Sequence, residues 1–420
     1  MHGFLKDFSR ILIVIVVFFF SRSGFSWNDV DHRMVPRLAL KSLISTVSLD
    51  PSVPYESFSS FIAKLGQVYP RIQTEDDFYH WLISHPDVPF EKKEAVLKEG
   101  IPVSPLEVLS QLSVAPDDGR DQDLVKISDI EQRKRISHKI FWFGGMTSGI
   151  NSQAFRHIEK PPFSLIHPLE TFGFPLTALG EATQRVEIYY LLALLADRLD
   201  SPYWAWQFLA CSFHYLQDLH NPYHTTQIPP QLLWAGLLGY IQWGYQHDKG
   251  LLKTIGQVGA NVHHFFEAWV SSYTGPYYPP YLRGESLTIP LRVRLLLRSL
   301  EGESTLNIQD IHSLAVETRD QSNLQSLKLT NYVLDLTGTR LLGPQKFPEG
   351  ASAEALRDFI LLEALKDRDP YEAPLWPLLR ERFHAMGEAL RQEVLLFDKE
   401  RHEKKDTQLL IEALNRLLPH

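Results

Sequence analysis

The spacing of apolar residues along the chain follows a helical period over most of its length. Over residues 175–200 apolar positions recur every three to four residues, which places them on one face of a helix. Residues 204–219 predict a second helix that ends before Pro222, since proline cannot continue a helix. Further helices are predicted over 30–47, 255–273, 291–300, 352–365 and 375–397. Because strand-like alternation is nearly absent, the sequence predicts an all-α protein.

Two regions depart from this helical pattern. Residues 116–168 are rich in Asp, Gly, Pro and Ser, and residues 221–253 contain Pro, Gly and Trp. Long stretches of this kind often carry functional residues, so we expect a long loop in the first region and an insertion between two helices in the second. We expect one domain over 27–280, with helices of 281–420 packed on it or continuing it.

The first 26 residues have the features of an export signal. Lys6 and Arg10 form a basic start, residues 11–20 are all apolar, and Gly24-Phe25-Ser26 fits a cleavage site after Ser26. At about 1.5 Å per residue, this apolar run covers about half of a ~30 Å hydrocarbon core, which is too short for a membrane anchor. The sequence therefore predicts an exported protein, periplasmic or secreted, whose mature chain begins at Trp27.

Charge and composition exclude some functions and favour others. The 42 Lys and Arg residues against 50 Asp and Glu residues give a net charge of −8, and no Lys/Arg cluster suits duplex nucleic acid. The single cysteine, Cys211, excludes an intramolecular disulfide. The 17 histidines are more informative, because imidazole is the commonest metal ligand in proteins.

The segment SFHYLQDLHNPYH, residues 212–224, carries the clearest candidate chemistry. On a helix His214 and Asp218 lie four residues apart on one face, and His224 follows just past the proline break. Downstream, His263 and Glu267 form a second pair with the same spacing. A single pair of this type is usually a surface ion pair, but two of them suit a multinuclear zinc site with nitrogen and carboxylate ligands.

The motif HYLQDLHNPYH resembles the core of a superfamily with three zinc ions. This superfamily contains bacterial zinc-dependent phospholipases C and fungal-type single-strand-specific nucleases. The resemblance implies that His214, Asp218 and His224 are zinc ligands, and the family's HxxxE pair is similar to His263 and Glu267. Family members also begin their mature chain with a Trp that binds zinc through its α-amino group and carbonyl together with a nearby His. The segment WNDVDH places Trp27 and His32 at those two positions.

The resemblance implies two further ligands, an Asp in a loop and a His after it. Asp117 is the first choice for the Asp, with Asp118 as the alternative, and it would also orient the attacking water or accept its proton. For the His, we favour His138 over His157, because a Ser-His pair leading into aromatic residues is similar to the family pattern. We therefore expect the imidazole of His138, and not that of His157, to share a cavity with His214.

The resemblance implies hydrolysis of a phosphodiester, either in a phospholipid head group or in single-stranded nucleic acid. Glu267, the acidic net charge and the lack of disulfide-forming cysteines favour a phospholipase C-like enzyme. His220 and the short spacing from Trp27 to His32 favour the nuclease branch. A third alternative is a non-catalytic exported binding protein stabilised by zinc.

Four aromatic residues of the 221–253 region bear on the partner. These residues are Trp234, Tyr240, Trp243 and Tyr245. Their side chains are suited to contact with a lipid interface, to stacking on bases, or simply to covering the site. Peripheral contact with a membrane is therefore one of the open interpretations. No stable protein partner is expected.

Overall fold

The structure is a computed structural model, and it describes residues 29–44, 46–47, 49, 52–82, 100–117, 157–160, 179–226, 230–244, 251–342, 375–403 and 406–418. Over these residues the all-α prediction is confirmed. In chain order the helices are α1 (Asp29–Ala39), α2 (Phe58–Val68), α3 (Glu75–Leu82), α4 (Pro105–Leu112), α5 (Ala182–Arg198), α6 (Pro202–Leu219), α7 (Pro230–Gly239), α8 (Leu251–Thr274), α9 (Tyr278–Leu282), α10 (Leu291–Ser299), α11 (Ile311–Thr337), α12 (Leu375–Glu403) and α13 (Thr407–Leu417).

The strands within the described ranges are four pieces of two residues each. β1 (Val53–Pro54) pairs antiparallel with β2 (Pro102–Val103), with Val53 opposite Val103. β3 (Glu159–Lys160) pairs antiparallel with β4 (Leu179–Gly180), with Glu159 opposite Gly180. Both pairs join distant parts of the chain, and neither forms a larger sheet.

The predicted helix boundaries agree with the structure to within a few residues at most ends, and they depart from it most clearly at two places. The helix predicted over 30–47 ends at Ala39 and is followed by a 3₁₀ turn over Lys41–Leu43. The helix predicted over 175–200 begins only at Ala182, because Gly180 has φ +105° and lies so close to Ile158 that a Cβ would meet its carbonyl oxygen. The helix predicted over 352–365 lies outside the described residues.

The region 221–253, expected to be an insertion between two helices, contains helical structure that the sequence pattern does not predict. It contains α7 and, directly after it, a π-helical segment over Tyr240–Gly244. Neither segment has a charged side chain, so the amphipathic contrast on which helix prediction depends is missing there.

Helix α6 lies at the centre of the molecule. All but two of its residues are buried, including the polar side chains of His214, Gln217 and Asp218. It packs most extensively on α5, and α4, α11 and α12 also contact it. The Ser212 hydroxyl donates a 2.8 Å hydrogen bond to the Val186 carbonyl of α5, which fixes one helix against the other.

One continuous hydrophobic core connects residues from Met34 to Leu418. Helix α1 packs on α4, α12 and α8, so its N-terminal turn lies beside the end of α8. This arrangement brings one end of α1, the centre of α6 and the second half of α8 into the same region of the interior. Within the described residues, no helix is both long enough and apolar enough to cross a bilayer.

Candidate metal centre

The i, i+4 pair of α6 forms the base of the site. His214 and Asp218 are both fully buried, and their Nε2 and Oδ2 atoms lie 3.2 Å apart. A carboxylate and an imidazole without water contact require strong partners, because burial otherwise disfavours charge. Those partners come from three other parts of the chain.

The first ligand group consists of His214, Asp218, His157 and Asp117. His157 Nδ1 lies 2.8 Å from Asp218 Oδ2 and 2.9 Å from His214 Nε2. Asp117 Oδ1 lies 3.6 Å from His214 Nε2 and 3.8 Å from His157 Nδ1. A tetrahedral shell with ligands at about 2.0 Å has edges of about 3.3 Å, which these separations bracket. The four side chains thus converge as the ligands of one ion do.

The second ligand group consists of His32 and the two carboxylates of the first group, Asp218 and Asp117. His32 Nε2 lies 3.7 Å from Asp218 Oδ1 and 3.6 Å from Asp117 Oδ2. Its ring stacks on that of His214 with a 4.1 Å separation of centroids. Each carboxylate therefore presents one oxygen to the first ligand group and the other oxygen to His32. This is the arrangement of carboxylates that bridge two neighbouring cation positions.

The third ligand group consists of His224, His263 and Glu267. His263 Nε2 lies 2.8 Å from Glu267 Oε1, and His224 Nε2 lies 3.4 Å from the same oxygen. His224 also connects this group to the first, since its Nδ1 is 3.9 Å from Asp218 Oδ1. Three sets of these side chains could each hold a metal ion: His32 with His214 and Asp218, Asp117 with His157 and His214, and His224 with His263 and Glu267.

Hydrogen bonds at the far side of three rings fix their orientation. His214 Nδ1 donates to the Ser113 carbonyl at 2.7 Å, and His224 Nδ1 donates to the His157 carbonyl at 2.8 Å. Since a carbonyl only accepts, Nδ1 carries a proton in both rings and Nε2 faces the neighbouring ligands. His32 Nδ1 makes the corresponding bond to Gln217 Oε1 at 3.1 Å. Metal-binding histidines are commonly oriented in this way by an acceptor behind the ring.

Ser113, at the end of α4, connects two of these rings. Its carbonyl accepts from His214, and its hydroxyl donates to the His32 carbonyl at 2.7 Å. Asp117 follows four residues later in the turn after α4, with its N–H donating to the Val114 carbonyl. The short α4 segment thus positions a ligand and orients two others.

Burial and charge shift the pKa values in opposite directions within the first ligand group. Burial alone would lower the pKa of His214, but Asp218 and Asp117 raise it to about 9. Burial would raise the pKa of Asp218, yet His214 and His157 hold it well below its usual range. The pKa of His32 falls well below its usual value through burial and the nearby charge of His214. The Asp218 carboxylate is therefore ionised, as a metal ligand must be.

In the third ligand group, Glu267 is also ionised. Burial would raise its pKa, but His263 and His224 lower it to about 2. Asn221 supports the same carboxylate, because its Nδ2 donates to Glu267 Oε1 at 3.0 Å. Asn221 and Gln217 both belong to the QDLHNPYH motif, where they were not singled out from the sequence.

The structure brings together most of the residues proposed from the sequence. His32, Asp117, His214, Asp218, His224, His263 and Glu267 all contribute to the three ligand groups. Trp27, Asp118 and His138 lie outside the described residues. His220 points away from the ligand groups into a buried region, where burial and the Arg382 charge hold its pKa well below its usual value.

The expectation that His157 lies away from His214 is wrong. His157 is fully buried within the first ligand group, where it contacts His214 and Asp218. The physical reason is the β3–β4 pairing, since Glu159 pairs with Gly180 and its N–H donates to the His224 carbonyl at 3.0 Å. These contacts join segments distant in sequence and hold His157 at the site.

Comparisons with known proteins add no relative to this picture: no protein-family model matches the chain, and neither the curated proteins nor the solved structures that were searched give a match.

Proposed function

We propose that this protein is an exported zinc-dependent hydrolase of phosphoric esters, and that it is phospholipase C-like. The observation that carries the proposal is the sharing of Asp218 and Asp117 between the first and second ligand groups through opposite carboxylate oxygens. Carboxylates that present their two oxygens in different directions suit two neighbouring ions, whereas a single ion needs only one oxygen from each. The resemblance of HYLQDLHNPYH to the trinuclear zinc superfamily supports the same conclusion.

The chemistry of the donor set suits zinc in a catalytic role. Structural zinc sites are usually rich in cysteine thiolates, whereas catalytic sites use His with Asp or Glu. The three ligand groups contain imidazole and carboxylate donors alone. This composition argues against the alternative of a binding protein in which zinc serves only to stabilise the fold. The resemblance adds Trp27 as a further ligand of the second ligand group.

Two side chains of the site are suited to work on a substrate. The chemistry that zinc supplies in such a site is Lewis acidity toward phosphoryl oxygens and a lowered pKa of water. Asp117 is slightly exposed while Asp218 is fully buried, so Asp117 is the carboxylate that can orient the attacking water and accept its proton. His263, with 19% of its side chain exposed, forms the accessible edge of the third ligand group.

A phospholipid head group fits the chain better than nucleic acid as the source of the phosphodiester. The net charge of −8 opposes association with a polyanion. The runner-up is a single-strand-specific nuclease, which is favoured by one observation, the 66% exposure of Trp234 on the helix after His224. An exposed indole can stack on an unpaired base.

The experiment that tests the proposal uses the protein beginning at Trp27, purified with its metal. Phosphatidylcholine, single-stranded DNA and bis(p-nitrophenyl) phosphate are offered with and without a chelator. We expect hydrolysis of phosphatidylcholine and of the small ester, lost on chelation and restored by zinc. Hydrolysis of DNA alone would support the nuclease, and bound zinc without hydrolysis of any ester would contradict the proposed activity.

A further inference from the structure

A row of apolar side chains is exposed on α7 and the π-helical segment that follows it. Trp234, Leu238 and Ile241 are 66%, 49% and 60% exposed, and their spacing places them along one side of the helix. We call these three residues the apolar stripe. Isolated exposed apolar residues are common in proteins, but a contiguous row is characteristic of an interaction surface.

The opposite side of α7 is firmly packed, so the exposure of the apolar stripe follows from the fold. Leu232 and Ala235 are buried, and Ala235 belongs to a small apolar cluster with Val258 of α8 and Leu342. Gly239 allows the closest approach, because a Cβ there would lie only 2.6 Å from the Leu342 carbonyl oxygen. Helix α7 is thus held to the protein by Leu232, Ala235 and Gly239 and directs the apolar stripe outward.

The apolar stripe lies in a stretch without ionisable side chains. No Asp, Glu, Lys, Arg or His occurs from residue 225 to residue 246. Leu324 of α11, by contrast, is 70% exposed but has Asp320 and Lys328 one turn away on either side. An exposed helix without charge is poorly suited to water and well suited to an apolar phase.

The apolar stripe begins close to the metal centre. Helix α7 starts six residues after the ligand His224 and packs against α8, which carries His263 and Glu267. Its contact point on α8, Val258, precedes His263 by little more than one helical turn. A surface that accepts the apolar stripe would therefore be held next to the third ligand group and its accessible His263.

We infer that the apolar stripe is a docking surface for a zwitterionic phospholipid bilayer. This inference rests on the proposed function and extends it, because it identifies how the site reaches ester bonds in a lipid aggregate. Trp at the head of a row of aliphatic residues suits the boundary between head groups and acyl chains. The uncharged stretch and the net charge of −8 offer no attraction to anionic lipids, so zwitterionic lipid is the match.

Other occupants fit the apolar stripe less well. A nucleic-acid strand requires cations beside the stacking aromatics, and Leu238 and Ile241 cannot stack on bases. A stable contact with a second protein buries about 800 Å² per partner, which is more than three side chains present. Reversible binding to a bilayer requires only the insertion of a few apolar side chains.

The test compares the triple variant Trp234→Ser/Leu238→Ser/Ile241→Ser with a matched control, Leu287→Ser/Leu324→Ser, which removes exposed apolar residues outside the apolar stripe. Co-sedimentation with phosphatidylcholine vesicles is measured in EDTA, so that binding is separated from turnover. We expect the triple variant to partition at least about tenfold more weakly, and the control to bind as the wild type does. Hydrolysis of bis(p-nitrophenyl) phosphate should be equal in all three proteins.

Three results would overturn the docking surface. Equal vesicle binding by the triple variant and the wild type would show that bilayers bind elsewhere or not at all. A melting temperature several degrees below that of the control would show that part of this chain covers the apolar stripe. A change from dimer to monomer in the triple variant would assign the surface to a second copy. If the wild type hydrolyses no ester and the triple variant still loses vesicle binding, the docking surface stands and the proposed function is rejected.

Discussion

Single residues determine the chemistry of the candidate centre, and His157 is the clearest example. Its Nδ1 lies within 3 Å of both His214 Nε2 and Asp218 Oδ2 in a fully buried position. The sequence favours His138 over it, because a Ser-His pair leading into aromatic residues is similar to the family pattern. Neither periodicity nor motif spacing carries information about the pairing of Glu159 with Gly180 that places it. Such a contact cannot be read from local sequence.

We predict that His157→Ala weakens zinc binding by at least about tenfold and removes one zinc ion per chain, because it deletes a ligand of the first ligand group. His312→Ala is the control, since His312 is exposed and pairs only with Glu187 at the surface. Metal analysis of both folded variants decides the matter. Equal zinc content in the two variants would exclude His157 from the site.

Glu393 of α12 gives a pH dependence that is independent of the metal centre. It is fully buried, and burial raises its pKa from its ordinary value of 4.5 to about 8. The folded protein therefore holds a proton that the unfolded chain releases above about pH 4.5. The contribution of Glu393 to the free energy of unfolding is fully present below about pH 4.5 and is lost as the pH rises to about 8.

We predict that the free energy of unfolding, measured with urea in EDTA, falls between pH 5 and pH 8 by several kcal/mol more in the wild type than in Glu393→Gln. Glutamine keeps the shape of the side chain and has no proton to lose. Identical pH dependence in the two proteins would show that Glu393 does not titrate in this range.

At the scale of elements, the sequence predicts helices best where one face is polar. The predicted bounds of α8, α10 and α12 agree with the structure at most ends to within a few residues, because their apolar faces alternate with polar ones. Helix α6 is buried on nearly all sides, and its predicted end agrees because Pro222 follows it. Helix α7 was not predicted, since an uncharged run of Leu, Gly and Trp has no such contrast. The start of α5 depends on a tertiary contact of Gly180 that no local pattern reveals.

The junction of α1 with α8 positions His32 relative to the third ligand group. Asp31 is buried and accepts hydrogen bonds from the hydroxyls of Ser271, at 2.6 Å, and Thr274. Burial raises its pKa to about 6, so that the carboxylate is ionised at neutral pH. Hydrogen bonds to a buried carboxylate are among the stronger ones in proteins.

We predict that Ser271→Ala lowers the free energy of unfolding by about 2 kcal/mol and weakens zinc binding at His32, because α1 loses part of its attachment to α8. Ser272→Ala is the matched control on the same helix, since its hydroxyl bonds only to the Trp269 carbonyl one turn earlier. Urea unfolding and zinc titration are measured for both. An equal effect of the two substitutions would contradict the role given to the Asp31 contact.

At the scale of the whole molecule, the centre is assembled from parts of the chain that are far apart in sequence. The motif on α6 and the pair on α8 could be recognised from spacing alone, because helical geometry makes i, i+4 neighbours converge. The packing of α1 and α4 around α6, which brings in His32 and Asp117, follows from the hydrophobic core and not from any motif. The sequence therefore predicts which side chains could bind metal better than it predicts which of them lie together in one ligand group.

The most direct test of the account is anomalous diffraction at the zinc absorption edge from crystals of the protein beginning at Trp27. The account predicts three zinc peaks, one in each ligand group, with Asp218 lying between the first two. A single peak, or zinc bound away from His214 and Asp218, would contradict a multinuclear centre built on shared carboxylates.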